Sequence, residues 1–170
     1  MKKKLWILVI TLLLSCCGCS KTVMRNNQEM VLLSLYFPHK DTLQLTEEKR
    51  FVPKEDTSSV EKTIICVLKE LQKGPENQSL LCPFPKEGDM KLSRFSANLA
   101  VVDFDSTFFQ AHKGDSMSEF LTLSAITNSL TKIPEVNHVS FTVDGIKSQT
   151  LKGHFELTET FLFSVDELRK

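Results

Sequence analysis

Between Ser58 and Pro75 the chain carries the start, the face and the stop of one helix, and no other stretch narrows the possible folds so far. Ser58 followed at the third position by Glu61 is a capping box, and Val60, Ile64, Val67, Leu68 and Leu71 recur at helical spacing as one apolar stripe. Gly74 then offers a left-handed stop and Pro75 forbids continuation. The spacing predicts a helix over 59–73. Ile65 and Cys66 fall off the stripe, with Cys66 nearly opposite its centre, so an apolar pair is expected on the outer face. A helix with one apolar face needs another layer to cover it, and the flanking sequence supplies strands.

Upstream, Val31, Leu33, Leu35 and Phe37 alternate with Leu32, Ser34 and Tyr36, a run apolar on both faces that reads as a covered strand ending at Pro38. Residues 42–46 predict a second strand through Leu43 and Leu45, and Arg50-Phe51-Val52 a short third before Pro53. Downstream of the 76–88 loop, residues 91–95 and 98–104 read as paired strands turned at Ser96-Ala97. A second helix is expected after Asp115, with Ser116 and Glu119 as a capping box and Phe120, Leu123, Ile126, Leu130 and Ile133 as its buried stripe, closed by Pro134. Val139, Phe141 and Val143 then alternate inward up to the turn pair Asp144-Gly145, and residues 155–157 predict a last strand before Phe161, Leu162 and Phe163. Several of these strands are joined by turns too short for a parallel crossover. The expected class is α+β, two amphipathic helices packed on a mixed, largely antiparallel sheet.

The N-terminus follows a different logic. Lys2, Lys3 and Lys4 precede an apolar run over 5–14, shorter than the roughly 20 residues a bilayer span needs, which is the layout of a secretory signal. Leu13-Leu14-Ser15-Cys16 resembles the lipobox of bacterial lipoproteins, so residues 1–15 are expected to be removed and Cys16 acylated. Cys19, preceded by Gly18, is the alternative, and Cys17 the weakest. Two or more acyl chains anchor stably where one is marginal. Residues 16–29 then form a lipidated N-terminus and polar tether, 30–163 one domain, and 164–170 a charged tail. The expected location is the extracytoplasmic side of a cell membrane.

Past that point the order of signals resembles the GerMN domain of spore formation and germination lipoproteins. The matching residues are Leu35-Tyr36-Phe37-Pro38, Arg50-Phe51-Val52-Pro53, Leu71 with Gly74-Pro75, and Pro85-Lys86-Glu87-Gly88. They continue through Ala100-Val101-Val102-Asp103-Phe104, Ser129-Leu130-Thr131, Ile133-Pro134 with Val136, and Val139, Phe141 and Val143-Asp144-Gly145. The resemblance implies an α+β domain related to the ring-building domains of the channel between mother cell and forespore, and a scaffold rather than a catalyst. The best-known relatives carry two copies in tandem; this chain carries one.

Chemistry-bearing residues fit that expectation. His39, His112, His138 and His154 are scattered without the i, i+4 spacing of a helical metal pair, and no metal or cofactor is expected. Asp103 and Asp105 lie two apart at a strand end and are read as a solvated terminus in preference to an acid/base or cation pair. No nucleophile elbow, Walker loop or dinucleotide fingerprint occurs. Cys66 and Cys82 are candidates for a disulfide, and Ile65, Cys66 and Lys69 for an interaction surface. With Lys2, Lys3 and Lys4 removed the chain is slightly acidic, so no nucleic-acid partner is implied. The expected function is a non-enzymatic, membrane-anchored scaffold of the cell envelope, linked to spore formation or germination and docking to itself or to other envelope proteins. The alternative is a module that recognises peptidoglycan or another wall polymer, which the lone Trp, inside the signal, disfavours.

Overall fold

A computed structural model describes residues 28–147 and 150–163. The expected signal, Cys16, Cys17 and Cys19, most of the tether and the 164–170 tail lie outside the described residues. Among the described residues no helix is long and apolar enough to cross a membrane.

The class is α+β, with the strands divided between two sheets. Strands β1 (Met30–Pro38) and β2 (Leu45–Pro53) form an antiparallel hairpin in which the two short strands expected over 42–46 and 50–52 are one continuous strand. Residues 42–44 belong instead to the turn, where Leu43 takes a positive φ of 59°. A short 3-10 turn, Lys54–Thr57, leads into helix α1 (Val60–Gln72). Its cap is Ser59, one residue past the expected Ser58, with the Ser59 hydroxyl accepting from Lys62 N at 3.2 Å.

Strands β3 (Met90–Ser96) and β4 (Leu99–Phe104) make a second hairpin over Ala97 and Asn98, both at positive φ as a tight two-residue turn requires. Strand β5 (His138–Val143) pairs parallel to β4, which demands a crossover. Helices α2 (Ser106–Ala111) and α3 (Ser116–Leu130) supply it. The expected reading had no α2: Asp105 caps it, its carboxylate accepting from Phe108 N at 2.7 Å.

Helix α3 departs furthest from expectation. From Leu121 to Leu130 every residue is buried, so no solvated face remains, and Phe120 is only half-buried. Of its polar side chains, Ser129 accepts from Tyr36 N at 2.8 Å and donates to Ala125 O, and Thr122 donates to Pro83 O, while Thr127 Oγ1 is buried with no hydrogen-bond partner among the described residues. The core around it is built of Phe, with Phe104 stacked between Phe108 and Phe141 at ring separations of 4.6 and 5.5 Å.

The strand expected over 155–157 does not form. Glu119, fully buried, accepts from the main-chain N–H of Leu151, His154 and Phe155, so donors a ladder would use are spent on one carboxylate. Only single bridges remain, between Thr150 and Glu156 and between Val139 and Phe161. Glu119 is thus no capping-box residue; Asp115 alone caps α3, accepting from Ser118 N.

Candidate functional site

The hairpin and α1 form a frame held by one buried cation. Arg50 lies on the inner face of β2, where it pairs with Glu48 and Glu70 and donates to the carbonyls of Glu70 and Gly74 at 2.9 Å. The helix end that Gly74 terminates is therefore tied to the strand, since the last carbonyls of a helix need donors. Burial alone would raise the Glu48 carboxyl, but the N–H groups of Asn77 and Glu76 and the Arg50 guanidinium hold it below the usual range. Glu70 is likewise held low against burial by Lys73 and Arg50. Sequence reasoning missed this centre; the available signal was an arginine at an inward position of an alternating strand.

The candidate surface on α1 is split by the fold. Ile65 and Lys69 are exposed, as the wheel predicted, beside a shallow groove of about 320 Å³ shared with Glu55, Asp56 and Lys62. Cys66 is a correction: it is buried, because the Lys54–Thr57 turn packs along that side of α1. Burial pushes its thiol up, with Glu70 adding to the shift. Cys82 is exposed, its Sγ 3.9 Å from Phe84 O, and both cysteines are free thiols.

Asp103 and Asp105 do not form a pair. Asp103 is buried and accepts from Thr142 Oγ1 at 2.5 Å and Gly145 N at 2.7 Å, with Lys91 Nζ at 3.7 Å, while Asp105 caps α2. Asp103 thus ties the Asp144-Gly145 turn to β4, a structural use in place of the expected solvated terminus. The histidines stay apart: His39 accepts from Asp41 N, His138 sits on β5, and His154 lies against Gly114 O. His112 is buried, accepting at Nδ1 from Gly114 N and so donating from Nε2 to Thr122 Oγ1 at 2.9 Å. Burial holds it below the ordinary histidine value, with Lys152 adding to the effect. Among the described residues no three His, Cys, Asp or Glu side chains gather as a metal site.

Among the described residues, the open feature is the edge of β1. The Lys54 N to Glu29 O bond sets the ladder so that Val31, Leu33 and Leu35 bond to β2, while Leu32, Ser34 and Tyr36 turn their main chain the other way. Tyr36 N finds Ser129; Leu32 and Ser34 instead line a groove of about 590 Å³ whose far wall is Lys132, Ile133, Pro134 and Glu135. A second groove of about 430 Å³ lies at the other end of the hairpin, between Pro38 and Leu43, the 81–87 loop and the start of α3.

A family model described as "Germane: Sporulation and spore germination" matches residues 34–149. The chain belongs to the Germane family. The matched span starts inside β1 and takes in all three helices and β5. Among solved structures, the tandem GerMN domains of the sporulation protein GerM from Bacillus subtilis align at TM-score 0.60 and 23% identity, over 79% of this chain and 46% of that one. The first GerMN domain of the same protein aligns at TM-score 0.62 and 17% identity, over 80% of this chain and 98% of that one. The Germane chain thus spans about half of the tandem protein and nearly all of its first domain, and at such identities the likeness is one of fold. Comparison with curated proteins finds no match.

Proposed function

We propose that this Germane-family chain is a non-enzymatic lipoprotein, anchored by acylated Cys16 or Cys19 outside the cytosol, that assembles with itself or with envelope proteins during spore formation or germination. The observation that carries the assembly role is the open edge of β1 beside a groove with an apolar floor of Leu33, Val67 and Ile133. Such an edge accepts an extended segment of a partner by strand addition, main-chain bonds giving affinity and the groove giving selectivity. Family membership supports the link to sporulation. The titratable groups that a catalyst would need are engaged elsewhere: Asp103, Asp105 and Glu119 in turns and caps, Glu48 and Glu70 around Arg50.

The experiment is crosslinking in sporulating cells, with Ser34→Pro as the probe. Proline at Ser34 removes an edge donor that the β1–β2 ladder does not use, so the fold is expected to survive while the crosslinked partner is lost. A chain that crosslinks to nothing in such cells, and whose deletion leaves heat-resistant spore counts unchanged, would overturn the proposal. Retention on purified cell wall instead would favour the wall-binding alternative.

A further inference from the structure

The side chains of the hairpin alternate between a covered and an uncovered face, and the uncovered face is apolar at one end only. Leu33, Leu35, Phe37 and Val52 point into the core. On the opposite face Met30 is 47%, Leu32 45% and Phe51 67% exposed, with Leu32 directly across from Phe51 and Met30 across from Pro53. Toward the turn the same face is no longer apolar, Tyr36 being covered by Phe163 and by Lys132 while Glu47 and Lys49 stand exposed and charged.

We propose that Met30, Leu32 and Phe51 seat this domain against the lipid surface that holds its N-terminus. The proposal deepens the lipid-anchored reading and rests on it. The chain outside the described structure ends where the patch begins: residues 17–29 separate the expected acylated Cys16 from Met30, a segment that spans at most about 45 Å. The size of the patch selects lipid over protein. Three partly exposed side chains present on the order of 300 Å², well short of the roughly 800 Å² per partner of a stable protein interface. A bilayer contact needs far less, because a tethered domain meets the surface at high effective concentration. Charge around the patch is mixed, Lys49 and Lys54 against Glu29 and Glu47, so apolar insertion rather than headgroup charge carries the contact. With this face down, the open edge of β1 faces sideways along the membrane, where neighbouring envelope proteins lie.

The sequence's single tryptophan, Trp6, leaves with the signal, so the acylated chain carrying Phe51→Trp reports from the patch alone. The control is Met117→Trp, an exposed position beside Pro38 and Leu43, about 25 Å along β1 from the patch. On vesicles of phosphatidylcholine with brominated acyl chains, emission from position 51 is expected to shift blue and be quenched while that from 117 is unchanged, and adding Leu32→Glu abolishes the quenching. Unquenched emission at 51, or equal quenching at both positions, overturns the proposal. A blue shift at 51 that grows with protein concentration without lipid also overturns it and makes the patch a contact between copies. Flotation reads the anchor separately. A chain that floats with unquenched Trp at 51 keeps the anchor and loses the patch, while one recovered from cells without acyl chains yet quenched on added vesicles loses the anchor and keeps the patch.

Discussion

Arg50 ties α1 to the hairpin through polar contacts alone, joining two carboxylates and two carbonyls at the end of the helix. Arg50→Met keeps much of the volume but strips Glu48 of its cation and leaves Glu70 with Lys73 alone. The expected loss is about 3–5 kcal/mol, read as a lowered midpoint in urea. His112 sets a separate dependence on pH. Its folded pKa lies below the ordinary histidine value, so the unfolded chain binds the proton first as pH falls. The stability it contributes is present above about pH 6.5 and is lost as pH drops toward its folded value. Glu48 and Glu70, held below the usual carboxylate range, stabilise above that range and lose their contribution only in stronger acid. His112→Gln is expected to flatten the stability profile between about pH 7 and 5 and leave the acid limb in place, as measured by urea midpoints across pH.

At the scale of elements, two joints determine how the crossover lies. Gly88 has φ +83°, and a Cβ there would stand 2.0 Å from Phe108 N and 2.7 Å from Asp105 Oδ1. Only a glycine lets the 81–88 loop press against the start of α2, a physical reason for the glycine of Pro85-Lys86-Glu87-Gly88. Gly88→Ala is expected to cost at least about 1–3 kcal/mol from the backbone alone, seen as a lower thermal midpoint. The second joint is Glu119, which holds 151–155 against α3. Glu119→Gln offers one acceptor oxygen and sets an amide donor near another N–H. Exchange of the Leu151, His154 and Phe155 amides is expected to speed up by about 1–3 kcal/mol of opening free energy, with α1 amides unchanged.

At the scale of the whole molecule, one core cluster runs from Leu33 on β1 to Leu157, taking in all three helices. One cooperative unfolding transition is therefore expected, with far-ultraviolet and near-ultraviolet dichroism changing together; two separated transitions would mean that the hairpin and the second sheet unfold independently. The α+β class, the α1 stripe with its Gly74-Pro75 stop, the β3–β4 hairpin and the Asp144-Gly145 turn were legible because each is written within a few neighbouring residues, where spacing and backbone preference act locally. The family could be read for the same reason, its motifs being such local signals in order. What the tertiary structure alone decided involves partners far along the chain. Glu119 is claimed by amides more than thirty residues on, Asp103 by a turn some forty residues on, and Arg50 by a helix end twenty residues away. Cys66 lies inside because a turn before its own helix packs over it, and α3 has no wet face because sheet, loop and hairpin enclose it. Periodicity reports which face a residue occupies; what covers that face is settled only when the chain closes on itself.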